Sequence, residues 1–329
     1  MYQEFKFEGP FKDELENFIA FKRSLGYDYG KTMIYLLAKM NKFLLMQGIA
    51  EIKIPESVYM HWICLKESES TSTQEKRYNA IHGFARFLIS KGYPDVYDTE
   101  NHVIPRKEFT PYIFTSDEIT RIFKCADSYR PENNPTVFFN NNMVPVLLRL
   151  LYSTGLRISE ALSIRFRDLD LENGVIAITD GKNHVGRNIV VSPSMKRVLG
   201  DYISTMTSCD TDGFLFCGCD GRAYTANMAR KAFHRILDDA AINKRPSGNY
   251  PRLHDFRHLF SIRALEQMVD KGYDLYTSLP ILCKYLGHKS IIETEYYIRL
   301  TKNRFSQITQ TSSSYAPSLF PVMEVCTHG

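Results

Sequence analysis

The sequence predicts a mainly α-helical protein of two domains, with one small β-hairpin in the second domain. Apolar residues recur at helical spacing through most of the chain. Between 174 and 191, two β-branched runs flank a polar turn, which is the pattern of a β-hairpin. A proline-containing stretch without apolar periodicity separates the two helical regions and indicates an exposed linker. We therefore expect a helical domain at 1–95, a linker at 96–111, a second domain at 112–305 and a tail at 306–329.

The first domain is predicted to be a bundle of about four helices between Asp13 and Gly92. Thr32 is the expected cap of the second helix, and the polar run at 68–73 offers an N-cap for the fourth. Several basic residues here are candidates for a DNA-facing side, although charge pattern alone fits a solvated face equally well. These candidates are Lys22, Arg23, Lys31, Lys39, Lys76, Arg77 and Arg86.

Composition limits the class of protein without fixing its function. The chain has 329 residues and a net charge of +4, which is compatible with a nucleic-acid partner but does not require one. The charged N-terminus lacks a signal peptide, and no apolar run is long enough to span a bilayer. The seven cysteines are scattered and odd in number, which argues against a disulfide framework. We expect a cytoplasmic, nucleoid-associated protein without a membrane partner.

One cysteine cluster could suggest a metal site. Cys209, Cys217 and Cys219 lie close in sequence, with His234 downstream. A zinc site would require paired ligand spacing on two arms, and this pairing is absent. We therefore predict ordinary thiols beside a strand and no metal.

The second domain is predicted to begin with a helix that starts at Ser116. Further along the chain, Arg157 occupies a tight turn. Gly155 suits the left-handed end of one helix, and Ser159 suits the N-cap of the next. A guanidinium beside a helix N-terminus makes a natural anion site. Taken alone, the pattern favours a surface arginine that solubilises a turn.

Two further segments carry candidate functional groups. Lys182 lies near the tip of the hairpin, where a lysine is usually solvated but can also reach a phosphate and deliver a proton. In RLHDFRH, the residues His254 and Arg257 are three apart and share one face of a predicted helix. The neighbouring His258 is expected to point elsewhere.

The segment LGHKSIIETEYYIRL near the C-terminus contains His288 and two adjacent tyrosines, Tyr296 and Tyr297. A phenol is a weak nucleophile at neutral pH because its ordinary pKa lies near 10. A tyrosine here matters only if cationic groups gather a phosphate in front of it. The apolar residues at 319–325 could form a docking segment or fray.

In this order and spacing, TGLRISEAL, the GK hairpin, HDFRH and LGHKSIIETEYY resemble the tyrosine recombinase (phage integrase) family. The resemblance covers essentially 112–300, and the N-terminal bundle resembles the family's core-binding (SAM-like) domain. It implies an orienting role for Glu160 and identifies Tyr297, not Tyr296, as the nucleophile by its spacing from His288. The catalytic set that it implies is Arg157, Lys182, His254, Arg257, His288 and Tyr297.

The sequence departs from the family pattern at three places. Val185 stands where many relatives have a second hairpin lysine, and Phe166 replaces a frequent tryptophan. The usual Thr-Thr before the nucleophile is Glu293-Thr294. No departure removes a catalytic group.

The resemblance implies cleavage and rejoining of double-stranded DNA through a 3′-phosphotyrosine, without metal or other cofactor. It also implies a homotetramer on two recombination sites, in which related recombinases or accessory proteins can take part. The length and the hairpin favour an integrase or transposase of a mobile element over a Xer-like resolvase. A type IB topoisomerase and a non-catalytic DNA-binding relative are the remaining alternatives, and the complete catalytic set argues against the latter.

Overall fold

The protein is described by a computed structural model. The described residues are 6–67, 69–99, 104, 110–130, 142–179, 186–206, 210–218, 221–245, 247–288, 290–294 and 297. The chain divides into two compact units, Met1–Phe109 and Thr110–Gly329. The predicted fold class, mainly helical with a small sheet, is confirmed. In the described part of the chain, no helix has the length and apolar character needed to cross a membrane.

The first unit is built from amphipathic helices around one apolar core, in which Phe11, Phe18 and Phe84 are fully buried. Ser70 caps the last helix by accepting the Thr73 N–H, as the polar run predicted. The expected cap at Thr32 is wrong, because Gly30 holds the N-cap position and Thr32 lies inside the helix. The helices are α1 (Lys12–Ser24), α2 (Lys31–Met46), α3 (Glu56–Ile63) and α4 (Thr71–Ser90).

The described part of the predicted linker at 96–99 packs on the helices of the first unit instead of being exposed. Val96 forms a parallel bridge with Ile54 and is 8% exposed. The carboxylate of Asp98 accepts a hydrogen bond from the Tyr59 hydroxyl at 2.9 Å and lies 2.8 Å from Nδ1 of His82. Most of the remaining linker lies outside the described residues.

The second unit contains the hairpin and the segments that carry the candidate site. A capping box at Thr115 and Glu118 precedes its first helix, which starts at Ser116 as predicted. The helices are α5 (Ser116–Ser128), α6 (Met143–Thr154), α7 (Ile158–Ser163), α8 (Pro193–Ser204), α9 (Ala226–Asp239), α10 (His254–Asp270) and α11 (Leu275–Leu286). The described strands are β1 (Leu169–Asp170), β2 (Val175–Ile178) and β3 (Arg187–Val190).

Helix α6 lies in the core of the second unit, with Leu147, Leu150 and most of its other side chains buried. Burial of apolar surface on this scale is the main force that holds the surrounding segments in place. The strands form an antiparallel sheet in the order β1-β2-β3, and Ile178 pairs with Arg187 at the end of the hairpin strands nearest the predicted turn. The short strand β1 was not predicted.

Candidate active site

Arg157 lies in the turn between α6 and α7. Gly155 ends α6 with a left-handed φ of 64°, and a Cβ there would lie 2.5 Å from the Phe260 ring, so only glycine fits. The N-cap of α7 is Arg157 itself, which corrects the expectation that Ser159 fills this position. The Glu160 carboxylate accepts the Arg157 backbone N–H at 3.0 Å. The turn therefore fixes the arginine at the start of a helix, as predicted.

Glu160 lies between two arginines. Its side chain is fully buried, and its Oε1 accepts from Arg157 Nη1 at 2.8 Å. On the other side, Arg187 donates from Nη2 to Oε2 at 2.9 Å and from Nη1 to Oε1 at 3.2 Å. Burial alone would raise the pKa of Glu160, but hydrogen bonds from the two arginines hold it below its usual range. The carboxylate is thus ionised and orients Arg157.

Arg257 projects from the first turn of α10 into the interior and is 1% exposed. Its Nη1 donates to the Gly155 carbonyl at 2.8 Å, and its Nη2 donates to the Leu286 carbonyl at 2.7 Å. Burial and the nearby charge of Arg157 lower its pKa to about 10, so the guanidinium stays protonated at neutral pH. Arg257 therefore brings a second fixed positive charge to the turn that holds Arg157.

The C-terminal end of α11 binds guanidinium groups at three successive carbonyls. Arg187 Nε donates to the carbonyl of Tyr285 at 2.7 Å, and Arg257 donates to Leu286. Both terminal nitrogens of Arg157 lie 3.4 Å from the Gly287 carbonyl. The last carbonyls of a helix lack intrahelical donors and carry partial negative charge, so they attract cations. The helix end therefore gathers the three arginines in one place.

His288 follows the glycine that closes α11. Gly287 has a left-handed φ of 67°, and the His288 N–H donates to the Cys283 carbonyl at 3.1 Å in a Schellman-type ending. The His288 Nδ1 lies 2.8 Å from the hydroxyl of Thr294. Partial burial and the charges of the neighbouring arginines lower the pKa of His288 to about 3, so its ring is neutral at pH 7.

Tyr297 lies against two imidazoles and is 3% exposed. Its ring is nearly parallel to that of His288, with 6.1 Å between the centroids. It also lies 5.6 Å from the ring of His258. The expectation that His258 points away from the site is therefore wrong, because this neighbouring face of α10 meets the segment that carries Tyr297. The sequence of α10 alone does not indicate where that segment lies.

The remaining predicted residues divide into described and undescribed ones. His254 lies at the exposed start of α10, and its ring meets that of His258 edge-on at 4.9 Å. Lys182 and Tyr296 lie outside the described residues, as do two of the clustered cysteines, Cys209 and Cys219. The tail predicted as a docking segment, at 306–329, also lies outside them.

The DNA-binding candidates of the first unit differ in exposure. Six of them are exposed or partly exposed: Lys22, Arg23, Lys31, Lys39, Lys76 and Arg86. Arg77 is corrected, because it is 4% exposed and its Nε donates to Glu69 at 2.9 Å. Its Nη2 donates to the Cys64 carbonyl at 2.7 Å, so the side chain holds the bundle together and does not face outward.

Sequence reasoning missed three residues of this cluster. Arg187 and Thr294 contact Glu160 and His288 respectively, and His258 contacts Tyr297. A signal existed for Arg187, because it shares a strand face with the buried Ile189 and thus carries a charge on the inward side. For His258 the signal was its position one turn after another histidine.

The described cluster combines a tyrosine, imidazoles and convergent guanidinium groups. Paired arginines bind the oxygens of a phosphate group bidentately, and imidazoles donate hydrogen bonds or move protons. A tyrosine beside bound phosphate is a potential nucleophile. Fold and site together define a class, a helical phosphoryl-transfer protein that uses a tyrosine.

Comparison with known proteins identifies the family. The model of the phage integrase family matches residues 113–304. The chain belongs to this family, whose members are tyrosine recombinases that act as DNA strand-transferases. It is 23% identical over 299 residues to a protein of Sinorhizobium fredii named as an integrase/recombinase, covering 88% of this chain and 92% of that one. It is 26% identical over 238 residues to the tyrosine recombinase XerC of Lactobacillus delbrueckii subsp. bulgaricus, covering 70% and 73%.

Solved structures share the fold. The Tn1549 transposon integrase in complex with transposon right end DNA superposes with a TM-score of 0.63 at 15% identity, covering 89% of this chain and 99% of that one. The XerH site-specific recombinase bound to a palindromic difH substrate gives a TM-score of 0.61 at 19% identity, covering 84% and 76%. The family match confirms the predicted family and enzyme class, and these structures share the fold.

Proposed function

We propose that this chain is the site-specific recombinase of a mobile element, an integrase or transposase, and that Tyr297 is its nucleophile. The Tyr297 oxygen attacks a phosphodiester of duplex DNA and displaces the 5′-oxygen, which leaves a 3′-phosphotyrosine and a free 5′-hydroxyl. Because the energy of the broken bond is retained in the phosphotyrosine, a 5′-hydroxyl from another strand can reverse the step. The observation that carries the proposal is the position of Tyr297 beside His288 at the helix end that binds Arg157 and Arg257.

The two arginines stabilise the transition state in this proposal. Attack on the phosphate creates a pentavalent arrangement with extra negative charge on the non-bridging oxygens. Arg157 and Arg257 are held by the neighbouring carbonyls of Gly287 and Leu286, which supports their joint action on one phosphate. Donors that are already fixed need no reorganisation during the reaction, and this is where their catalytic effect arises.

The imidazoles and the hairpin lysine donate hydrogen bonds and transfer protons in this proposal. His288 is neutral, so one ring nitrogen donates to the phosphate while the other pairs with the Thr294 hydroxyl. His254 helps to remove the phenol proton, with His258 as the ring between it and Tyr297. Lys182 protonates the departing 5′-oxygen. This last role rests on the family resemblance alone.

Double-stranded DNA is the proposed partner, and a homotetramer on two sites is the proposed active assembly. Structures that share the fold include recombinases bound to DNA and a lambda integrase tetramer bound to a Holliday junction, which supports both statements. The exposed basic residues of the first unit supply phosphate contacts, so affinity should fall steeply with salt. Residues 306–329 are the proposed docking segment between protomers, and deletion after Ser312 should therefore weaken assembly on DNA.

A Xer-like resolvase is the second candidate, and the similarity to XerC supports it. The chemistry is the same, but the DNA differs. A mobile-element enzyme acts on the ends of its own element, whereas a resolvase acts on a chromosomal or plasmid site. Sequencing of the DNA fragments that the protein captures by selective binding from the source genome would distinguish the two.

The basic reaction is tested with a nicked duplex that carries the captured site. Cleavage beside the nick releases a short fragment and traps the protein on DNA. We expect an adduct that survives denaturation and whose DNA-linked peptide contains Tyr297. A DNA-binding protein that yields no adduct on its captured site would overturn the proposal in favour of a non-catalytic relative.

A further inference from the structure

We propose that Arg187 is a positioning residue of the active site. In this role its guanidinium holds Glu160 against Arg157 and ties strand β3 to the end of helix α11, where the His288 loop begins. The inference rests on the proposed function, and it assigns a role to a residue outside the predicted catalytic set.

Arg187 contacts residues that hold the catalytic groups in place. Two of its nitrogens bind both oxygens of Glu160, at 2.9 and 3.2 Å, while Nε donates to the Tyr285 carbonyl at 2.7 Å. The side chain is 10% exposed and that of Glu160 is fully buried. A planar guanidinium is needed for this arrangement, because a lysine could satisfy only part of it.

Charge balance explains why Glu160 needs a second arginine. A buried carboxylate requires compensating charge, and Arg157 is the other guanidinium bound to it. With Arg187 present, two positive charges face one negative charge, and one net positive charge remains for a phosphate. Without Arg187, the carboxylate would neutralise Arg157 and hold it back from the phosphate. Arg187 therefore keeps Arg157 electrostatically available.

Packing around Gly287 fixes the helix end to the same guanidinium. A Cβ on Gly287 would lie 2.7 Å from Nη1 of Arg187, so the guanidinium fills the space beside the glycine. His288 follows immediately, and Arg157 binds the Gly287 carbonyl. A shift of Arg187 would therefore move the helix end that supports His288 as well as Glu160.

The test uses Arg187→Gln and Arg187→Lys on the nicked duplex at saturating DNA. We expect Arg187→Gln to slow adduct formation by about 10–100-fold without a change in DNA affinity, because a small misplacement of catalytic groups has effects of this size. Arg187→Lys keeps the charge and should fall between wild type and Arg187→Gln. Arg167→Gln is the matched control, since Arg167 pairs with Asp212 on the exposed surface of the same unit. It should react like wild type.

Two readouts separate positioning from a general loss of structure. If Arg187 acts through Glu160, the double variant Glu160→Gln/Arg187→Gln should react no more slowly than the slower single variant. A duplex with a 5′-bridging sulfur needs no proton on its leaving group, so the defect should persist on it if Arg187 supports Arg157. Rescue by sulfur would overturn the inference, because Arg187 would then act through the hairpin lysine. Additive losses in the double variant would also overturn it.

Adduct formation by wild type distinguishes a failure of the Arg187 positioning role from a failure of the proposed function. An adduct with wild type and an equal rate with Arg187→Gln would refute the positioning role alone. No adduct with wild type on either duplex would refute the proposed function itself.

Discussion

The ring of Tyr297 stacks on the imidazole of His288, with 6.1 Å between the centroids and 20° between the planes. The contact places the proposed nucleophile beside a helix end that also binds Arg157 and Arg257. The tyrosine thus lies near its proposed partners. Local helix endings, at Gly155 and Gly287, create this arrangement.

Arg257 should be required for chemistry more than for binding. We expect Arg257→Lys to slow adduct formation by about 10²–10³-fold, because a lysine cannot reproduce a planar donor that stabilises the transition state. DNA affinity at low salt should remain measurable. Single-turnover cleavage and a binding titration on the same duplex check this, and an equal loss in both would contradict it.

Gly287 should tolerate no side chain. Gly287→Ala adds a left-handed penalty of about 1–2 kcal/mol and a Cβ that lies 2.7 Å from Arg187. Gly272→Ala is the matched control, since Gly272 has a φ of +84° and nothing within 4 Å of its Cβ position. The thermal unfolding temperature and the cleavage rate should both fall further in Gly287→Ala than in Gly272→Ala. Equal effects of the two variants would show that the Arg187 contact is unimportant.

The buried histidines should make the protein less stable in acid. Burial and the nearby arginines lower the pKa of His258 to about 4, so between about pH 6.5 and 4 the unfolded chain binds more protons than the folded one. Stability is complete above pH 6.5 and falls as the pH drops through that window. One such group accounts for about 2 kcal/mol between pH 7 and pH 5.

The variant His258→Gln isolates this effect. Its free energy of unfolding should depend less on pH than that of wild type, by the amount that His258 contributes. Chemical denaturation at pH 7 and pH 5 measures the difference. The same loss in wild type and variant would mean that His258 titrates alike in both states.

Two adjacent basic residues in α4 should have opposite effects. Arg77→Ala removes a buried guanidinium and leaves the partly buried Glu69 without its arginine, so we expect a loss of about 3 kcal/mol in stability. Lys76→Ala removes an exposed charge and should leave stability within about 0.5 kcal/mol. In DNA binding, Lys76→Ala should reduce the slope of log affinity against log salt concentration by about one. Reversed effects would contradict the assignment of Arg77 to the bundle interior.

The sequence patterns predicted those features of the fold that depend on local structure. Helical periodicity, the hairpin and the glycine before Arg157 are encoded within a few residues, and all are present. Arg187 was missed because its partners Glu160 and Tyr285 lie 27 and 98 residues away. Arg77 was misplaced because a charge pattern does not show that Glu69 folds back onto it.

Two tyrosine variants on a nicked duplex test whether Tyr297 is the nucleophile. Both Tyr297→Phe and Tyr296→Phe remove one hydroxyl and preserve the ring. We expect a covalent protein–DNA adduct with wild type and Tyr296→Phe and none with Tyr297→Phe. An adduct that persists in Tyr297→Phe would contradict it.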